Sequence, residues 1–326
     1  MTVRAGIAGL GRWGQVLTNA IKDSDAITFP AGCTGRKERA VDFCAANGID
    51  LRDSLDDLLA DPSLDAIVLA TPHTMHAEQM MACAKAGKHV FIEKPFTLDV
   101  ESAERAAAAL AEAGLVCAPG FNRRFLPSML RLREIVNSGG IGTPLHVEAN
   151  ISVPAGVRAT PGHWRGDPKE SPAGSMTALG VHMVDSLISL MGPITEVRAT
   201  SERRMLTGAI DDVTFMTLRF ANGSTGYMST LFSTARIWYI RAMGSEGWAS
   251  MRGYKKIAVK KLDQGDEEET LETFEKPDIE RLEMIAFAAA VEGTTPYPIP
   301  VADAIHGTAV LEAIVESAVS GKTVTL

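Results

Sequence analysis

The stretch FIEKPF, residues 91–96, sets a glutamate and a lysine side by side where an apolar strand ends. HVFI before it reads as a buried β-strand, and Pro95 stops the ladder by removing a backbone donor. Charges this close to a core are seldom buried unless paired. A solvated strand end would account for Glu93 and Lys94. The sharper reading is that the carboxyl end of a strand is where an open α/β sheet holds its chemistry. A second constellation, GLGRWG, puts Gly9, Gly11 and Gly14 directly after the first apolar strand and at the opening of a helix. In that context G-x-G-x-x-G permits a tight turn, close approach of a pyrophosphate, and phosphates facing free helix N–H groups. The whole turn, Gly9, Gly11, Arg12, Trp13 and Gly14, is a candidate dinucleotide cradle; the bland alternative is a plain glycine turn.

The end of the second strand bears on which dinucleotide. A free ribose 2′-hydroxyl usually meets an Asp or Glu there, about 20 residues beyond the glycine turn. Here the chain reads CTGRKER, with no carboxylate at the tip and Arg36, Lys37 and Arg39 close behind. A 2′-phosphate would be served by Thr34, the backbone at Gly35, and the guanidinium forks of Arg36 and Arg39. The expectation is NADP(H), with NAD(H) possible; the alternative is that these cations are the solvated first turn of a helix.

Elements that could position these residues alternate over the first 120 or so positions. VRAGIAGL, AITFPAGCT, DAIVLAT, HVFIE and LVCAP read as apolar strands, with helices between them and Pro30 marking a bulge or an edge. That alternation predicts a parallel, doubly wound Rossmann sheet over residues 1–121. From about residue 145 the pattern becomes polar–apolar alternation in LHVEANISV, ITEVRATSERRM, DDVTFMTLRF, STGYMSTLF and ARIWYIRAMG, with an Asn-Gly hairpin turn in FANGST. This predicts a second α/β domain, residues 122–326, built on an open, mostly antiparallel sheet with helices near 179–191, 278–292 and 302–319. DQGDEEE reads as a solvated loop.

Composition narrows the classes. The chain has 326 residues, 46% apolar and 22% charged, enough for two cores and unlike a disordered segment. No apolar run approaches the roughly 20 residues that span a bilayer. The net charge of −8 argues against general nucleic-acid affinity. The start of the chain enters a strand without a signal-peptide pattern, so a cytoplasmic location is expected. Cys33, Cys44, Cys83 and Cys117 lie in apolar segments without metal-ligand spacing and read as small buried hydrophobes; no metal is expected.

In order along the chain, GLGRWG, ATPHTMHAEQ, AGKHVFIEKPF, GFNRRFLP, GGIGTP, GVHMVD and SAVSGKTVTL resemble the Gfo/Idh/MocA oxidoreductases, the family of glucose-fructose oxidoreductase and inositol dehydrogenase. The resemblance covers nearly the whole chain. It implies hydride transfer between a nicotinamide and a sugar, cyclitol or related small hydroxy or keto compound, and an open sheet that pairs subunits as a homodimer or homotetramer. It assigns Lys94 to the reacting oxygen, where an ammonium would stabilise developing negative charge. Glu93 would orient Lys94 or contact the nicotinamide ribose. Ala70, Thr71, Pro72, His73 and His76 match the segment lining the adenosine and pyrophosphate side. Asn122 falls near the nicotinamide, and Arg124 matches the family arginine, while Arg123 reads as surface. Trp164 and Arg165 match a cofactor-touching Trp-Arg, or else an aromatic packed under a loop. His163, Arg124, Asp185, Lys94 and His182 are the substrate candidates, and Trp238, Tyr239 and Arg241 offer further pocket walls or plain packing.

One departure qualifies the resemblance. Family dehydrogenases carry D-x-x-x-H on a helix, a carboxylate one turn before the histidine that serves as proton acceptor. Here the histidine is His182 and the acid position is Ala178, with Thr177 and Asp185 as substitute neighbours. That substitution favours reduction over oxidation. It also keeps open two other functions, a non-catalytic dinucleotide sensor and a cofactor-assisted glycoside-cleaving enzyme.

Overall fold

The computed structural model describes residues 2–156 and 164–326. The chain divides into two compact units, Met1–Asn122 with Asp278–Ile305, and Arg123–Pro277 with His306–Leu326. A cut at 121/122 therefore omits one feature, the return of Asp278–Ile305 to the first unit.

The first unit carries β1 (Val3–Ala8), α1 (Arg12–Ala20), β2 (Ile27–Cys33), α2 (Val41–Asn47), β3 (Asp50–Arg52), α3 (Leu55–Leu59), β4 (Ala66–Leu69), α4 (His76–Lys85), β5 (His89–Glu93), α5 (Val100–Glu112) and β6 (Cys117–Gly120). The six strands form one sheet in the order β3-β2-β1-β4-β5-β6, and every pairing is parallel. This is the doubly wound arrangement, with strand order reversing between β1 and β4. Its strands are apolar throughout because both faces are covered: Ala5, Ile7, Ile67, Val68, Val90 and Phe91 are fully buried. Pro30 sits in a bulge, since the register against β1 slips between Arg4–Thr28 and Gly6–Ala31.

The returning helix, α8 (Ile279–Val291), is capped by Asp278, whose carboxylate accepts the Arg281 N–H at 3.0 Å. Its Met284, Phe287 and Ala288 enter the same core as Ile7, Leu17 and Phe91. The Phe91 and Phe287 rings stand 5.9 Å apart. Burial of a side chain such as Phe287 contributes about 1.5–3 kcal/mol, which explains why this late segment belongs to the first core. The Arg281 guanidinium donates to the Ala20 and Asp23 carbonyls, satisfying the carboxyl end of α1.

The second unit holds α6 (Pro127–Asn137), β7 (Pro144–Pro154), α7 (Val181–Met191), β8 (Ile194–Glu202), β9 (Val213–Phe220), β10 (Thr225–Leu231), β11 (Ser233–Gly244), β12 (Gly247–Arg252), β13 (Lys256–Lys261), β14 (Thr270–Thr273), most of α9 (Val301–Ser320), and β15 (Val324–Thr325). Nine strands run β14-β13-β12-β11-β7-β10-β9-β8-β15, antiparallel except for the β7–β10 pair. One face is core, with Val147, Ala149, Met216, Met228, Ile240 and Ala249 buried, and α6 and α7 packed on β12 and β7. The opposite face carries Phe215, Tyr227, Glu148, Tyr239 and Arg241.

The apolar and alternating runs do not reveal the short strands β3 and β15, nor β12, β13 and β14. The helix expected near 179–191 starts later, since residues Met176–Gly180 form a wide π-helical turn and α7 starts at Val181. No helix among the described residues is long and apolar enough to cross a membrane.

Candidate active site

In the first unit, parallel pairing brings the carboxyl ends of β1, β4, β5 and β6 to one edge of the sheet. β1 leads into the glycine turn. Gly9 has φ +101°, and a Cβ there would lie 2.3 Å from the Ala70 carbonyl oxygen, so only glycine allows β1 and β4 to approach so closely. A Cβ on Gly14 would lie 2.1 Å from the Gly9 oxygen, which fixes α1 tight against the turn. Gly11 faces open space, and as N-cap of α1 it offers no capping side chain; the first turn holds no acid. The orphan N–H groups and the positive end of the helix dipole therefore fit a dinucleotide pyrophosphate, with Arg12 exposed beside them.

At the end of β5, Glu93 is buried, 6% exposed, and its two oxygens have different partners. One accepts the Trp13 indole N–H, and the other accepts the Lys94 backbone N–H at 3.3 Å. Trp13 thus ties the helix of the glycine turn to the Lys94 turn, a link spanning 80 positions that sequence spacing does not reveal. Lys94 precedes Pro95 through a cis peptide bond and is itself half-buried. His76, expected beside the cofactor, is fully buried: its Nδ1 lies 2.9 Å from the Pro95 carbonyl and its Nε2 3.2 Å from that of Thr71. It clamps the β4 loop to the Lys94 turn. His73, also buried, packs edge-on to His76 with ring centroids 5.8 Å apart. Thr71 donates its hydroxyl to Gln79, a buried residue the sequence reading had not singled out. Ala70, Thr71 and Pro72 remain half-buried at the crevice edge. Asn122 is buried, its amide donating to Glu280 at 3.1 Å, so α8 holds it in place.

The end of β2 carries no carboxylate. Gly35, Arg36 and Arg39 are exposed and Thr34 half-buried, while Lys37 pairs with the exposed Asp53. Burial pushes the Cys33 thiol up to about 11, with Asp57 adding to the shift, so this buried thiol is unreactive. Burial likewise lifts Cys83 and Cys117 to about 12.

In the second unit, Arg124 and Asp185 are both buried, and the guanidinium forks onto the carboxylate with Nε–O distances of 3.0 and 2.9 Å and an Nη2–O distance of 2.6 Å. The two charges neutralise one another, as buried charges require. His182, 5% exposed, lies in the first turn of α7. Ala178 presents only a methyl group four positions earlier, and the Thr177 hydroxyl donates to the Pro172 carbonyl. Arg165 lies over the Trp164 ring, 4.2 Å from its centroid. His163 lies outside the described residues. Arg123, read as surface, is half-buried against the Trp238 and Tyr254 rings at 5.0 and 5.3 Å. Arg241 stands across the sheet's other face, 3.8 Å from Glu148. Among the described residues no group of three or more His, Cys, Asp or Glu side chains could hold a metal.

Residues 3–121 match the model of the oxidoreductase family with an NAD-binding Rossmann fold, and residues 129–250 match that of the GFO/IDH/MocA C-terminal domain. The chain is 30% identical over 280 residues to D-xylose 1-dehydrogenase (NADP(+)) 2 of Haloferax volcanii, covering 84% of each. It is 29% identical over 227 residues to the uncharacterized oxidoreductase YrbE of Bacillus subtilis, 67% of this chain but 64% of that one. Matches to the leading curated relatives span less than two thirds of those proteins' lengths. A solved structure of levoglucosan dehydrogenase in complex with NADH and levoglucosan shares the fold, with a TM-score of 0.89 at 22% identity over 100% of this chain and 99% of that one. The chain belongs to the Gfo/Idh/MocA family of NAD(P)-dependent oxidoreductases.

Proposed function

We propose that this protein transfers hydride between a nicotinamide cofactor, NADP(H) by preference, and a sugar, cyclitol or related small hydroxy or keto compound. One observation carries the reading: the strand that leads into Lys94 and the strand that leads into the glycine turn finish at the same carboxyl end of one parallel sheet. When bound, the nicotinamide supplies the hydride donor or acceptor. The Lys94 ammonium stabilises negative charge on the reacting oxygen as the C–OH becomes C=O, or the reverse. His182 takes the hydroxyl proton in oxidation and returns it in reduction. Ala178 supplies no carboxylate to assist His182 as a base, which weakens alcohol oxidation more than reduction, where Lys94 still polarises the carbonyl.

The preference for NADP(H) is supported by the lack of a carboxylate at the end of β2 and by the exposed Arg36 and Arg39. The NADP(+) name of the xylose-oxidising relative agrees with it. Pairing of subunits through the second sheet is supported by apolar side chains exposed on its outer face, Phe215 at 44% and Ile237 at 43%. The test is a panel of sugars, cyclitols and the corresponding ketones assayed with both cofactors, following reduced-cofactor absorbance. Net turnover with a higher kcat/KM for NADP(H) is expected. Cofactor binding without net turnover on any member of the panel would overturn the reading in favour of a sensor or of borrowed-hydride chemistry.

A further inference from the structure

A cavity of about 400 Å³ opens in the second unit where β12 stops at Arg252 while β11 runs on toward Ser233. Its floor is aromatic: Trp238 and Tyr254 meet edge to face at 4.2 Å and 87°, with the Arg123 guanidinium over both rings. The lining includes Arg123, Arg236 and Arg252 and no carboxylate. Arg252 forks onto Glu269 outside the lining, at 2.8 and 2.7 Å, and Arg236 stands exposed at the mouth. Trp238 is 8% exposed, and its indole N–H is buried without a hydrogen-bond acceptor among the described residues. A buried donor left in this state is costly unless a ligand supplies the acceptor. One wall is Leu179, the residue between Ala178 and Gly180 in the turn that leads to His182.

We propose that this cavity recognises an anionic group on a sugar-sized ligand, so that the substrate is an acidic sugar or hydroxy acid rather than a neutral polyol. The inference rests on the oxidoreductase reading above for the word substrate; the anion site itself rests on the cavity alone. Arginine side chains lining a concave wall draw counter-charge, and a guanidinium fork such as that of Arg236 matches a carboxylate or phosphate in two-point geometry. The aromatic floor suits the apolar face of a sugar ring, and the volume falls in the range of small-molecule sites.

The test compares matched probes, D-glucuronate and D-glucose 6-phosphate against D-glucose, in the native chain and in Arg236→Gln and Arg236→Lys. Direct binding is read from Trp fluorescence and calorimetry, and turnover from reduced cofactor. An anionic probe should bind at least tenfold more tightly than glucose. Arg236→Gln should remove most of that preference and Arg236→Lys should restore part of it; the probe that wins identifies carboxylate or phosphate. Equal binding of all three probes, or a preference that survives Arg236→Gln, overturns the proposal even if neutral sugars are turned over. Arg236-dependent anion binding without net turnover would leave the cavity assignment standing and remove hydride transfer.

Discussion

The edge of the first sheet and the His182 region of the second unit are built on different principles. At the first edge, each chemical group follows directly from the strand that delivers it: the glycine turn from β1, Thr71 from β4 and Lys94 from β5. Parallel pairing then brings them together regardless of surface detail. Around His182 the support comes from far along the chain. Asp185 is neutralised by Arg124, 61 positions away, and the turn before the histidine is π-helical rather than α-helical. The first arrangement depends on backbone geometry and tolerates little added volume. The second depends on charge pairing and tolerates no loss of a partner.

Substitutions in each region sharpen the contrast. Asp185→Asn leaves the Arg124 guanidinium buried without its counter-charge and should lower stability by about 3–5 kcal/mol, read from denaturant unfolding. A loss below about 1 kcal/mol would mean the pair is solvated. In the first unit, Gly14→Ala drives a methyl group toward the Gly9 oxygen and should weaken dinucleotide affinity by about tenfold or more, equivalent to about 1.4 kcal/mol. Unchanged affinity would break the claim that backbone closeness builds the cradle. Ala178→Asp restores a carboxylate before His182; alcohol oxidation should rise about tenfold in kcat while carbonyl reduction changes less. A fall in oxidation would show that the turn cannot direct the acid toward the imidazole.

The smallest expected effect is on pH dependence. Burial lowers the His89 pKa, with Asp65 partly opposing, and the ring accepts the Val116 N–H at 3.0 Å, which requires its neutral form. A depressed folded-state pKa contributes stability above the unfolded value of about 6.5, and that contribution is lost as pH falls through the lower folded value. Melting temperature should therefore decline more steeply below about pH 6.5 in the native chain than in His89→Gln, whose amide oxygen can accept the same N–H. Parallel pH profiles would remove His89 as the cause.

What the sequence made legible follows the same division. Apolar runs, G-x-G-x-x-G and the abrupt stop at Pro95 are local signals, and they located β1, β4, β5 and the strand-end residues. Pro30 was readable as a bulge or an edge because proline cannot donate within a ladder, and the register slip against β1 decides for the bulge. The Trp13–Glu93 bond, the His76 clamp and the Arg124–Asp185 pair were not readable, since each joins positions brought together only by tertiary packing. The β12–β14 strands escaped because they are short and interrupted by Gly253 and the acidic 263–269 loop. The π-helical turn at Met176–Gly180 was not readable either, since sequence spacing carries no signal for a wider turn.

If the Lys94 amine acts on the reacting oxygen, its removal must slow hydride transfer itself. Single-turnover hydride transfer in Lys94→Met, with cofactor affinity measured on the same preparation, tests it most directly. The account predicts a fall in the transfer rate of about 10²–10³ with cofactor affinity nearly unchanged. A rate within about tenfold of the native enzyme would contradict it.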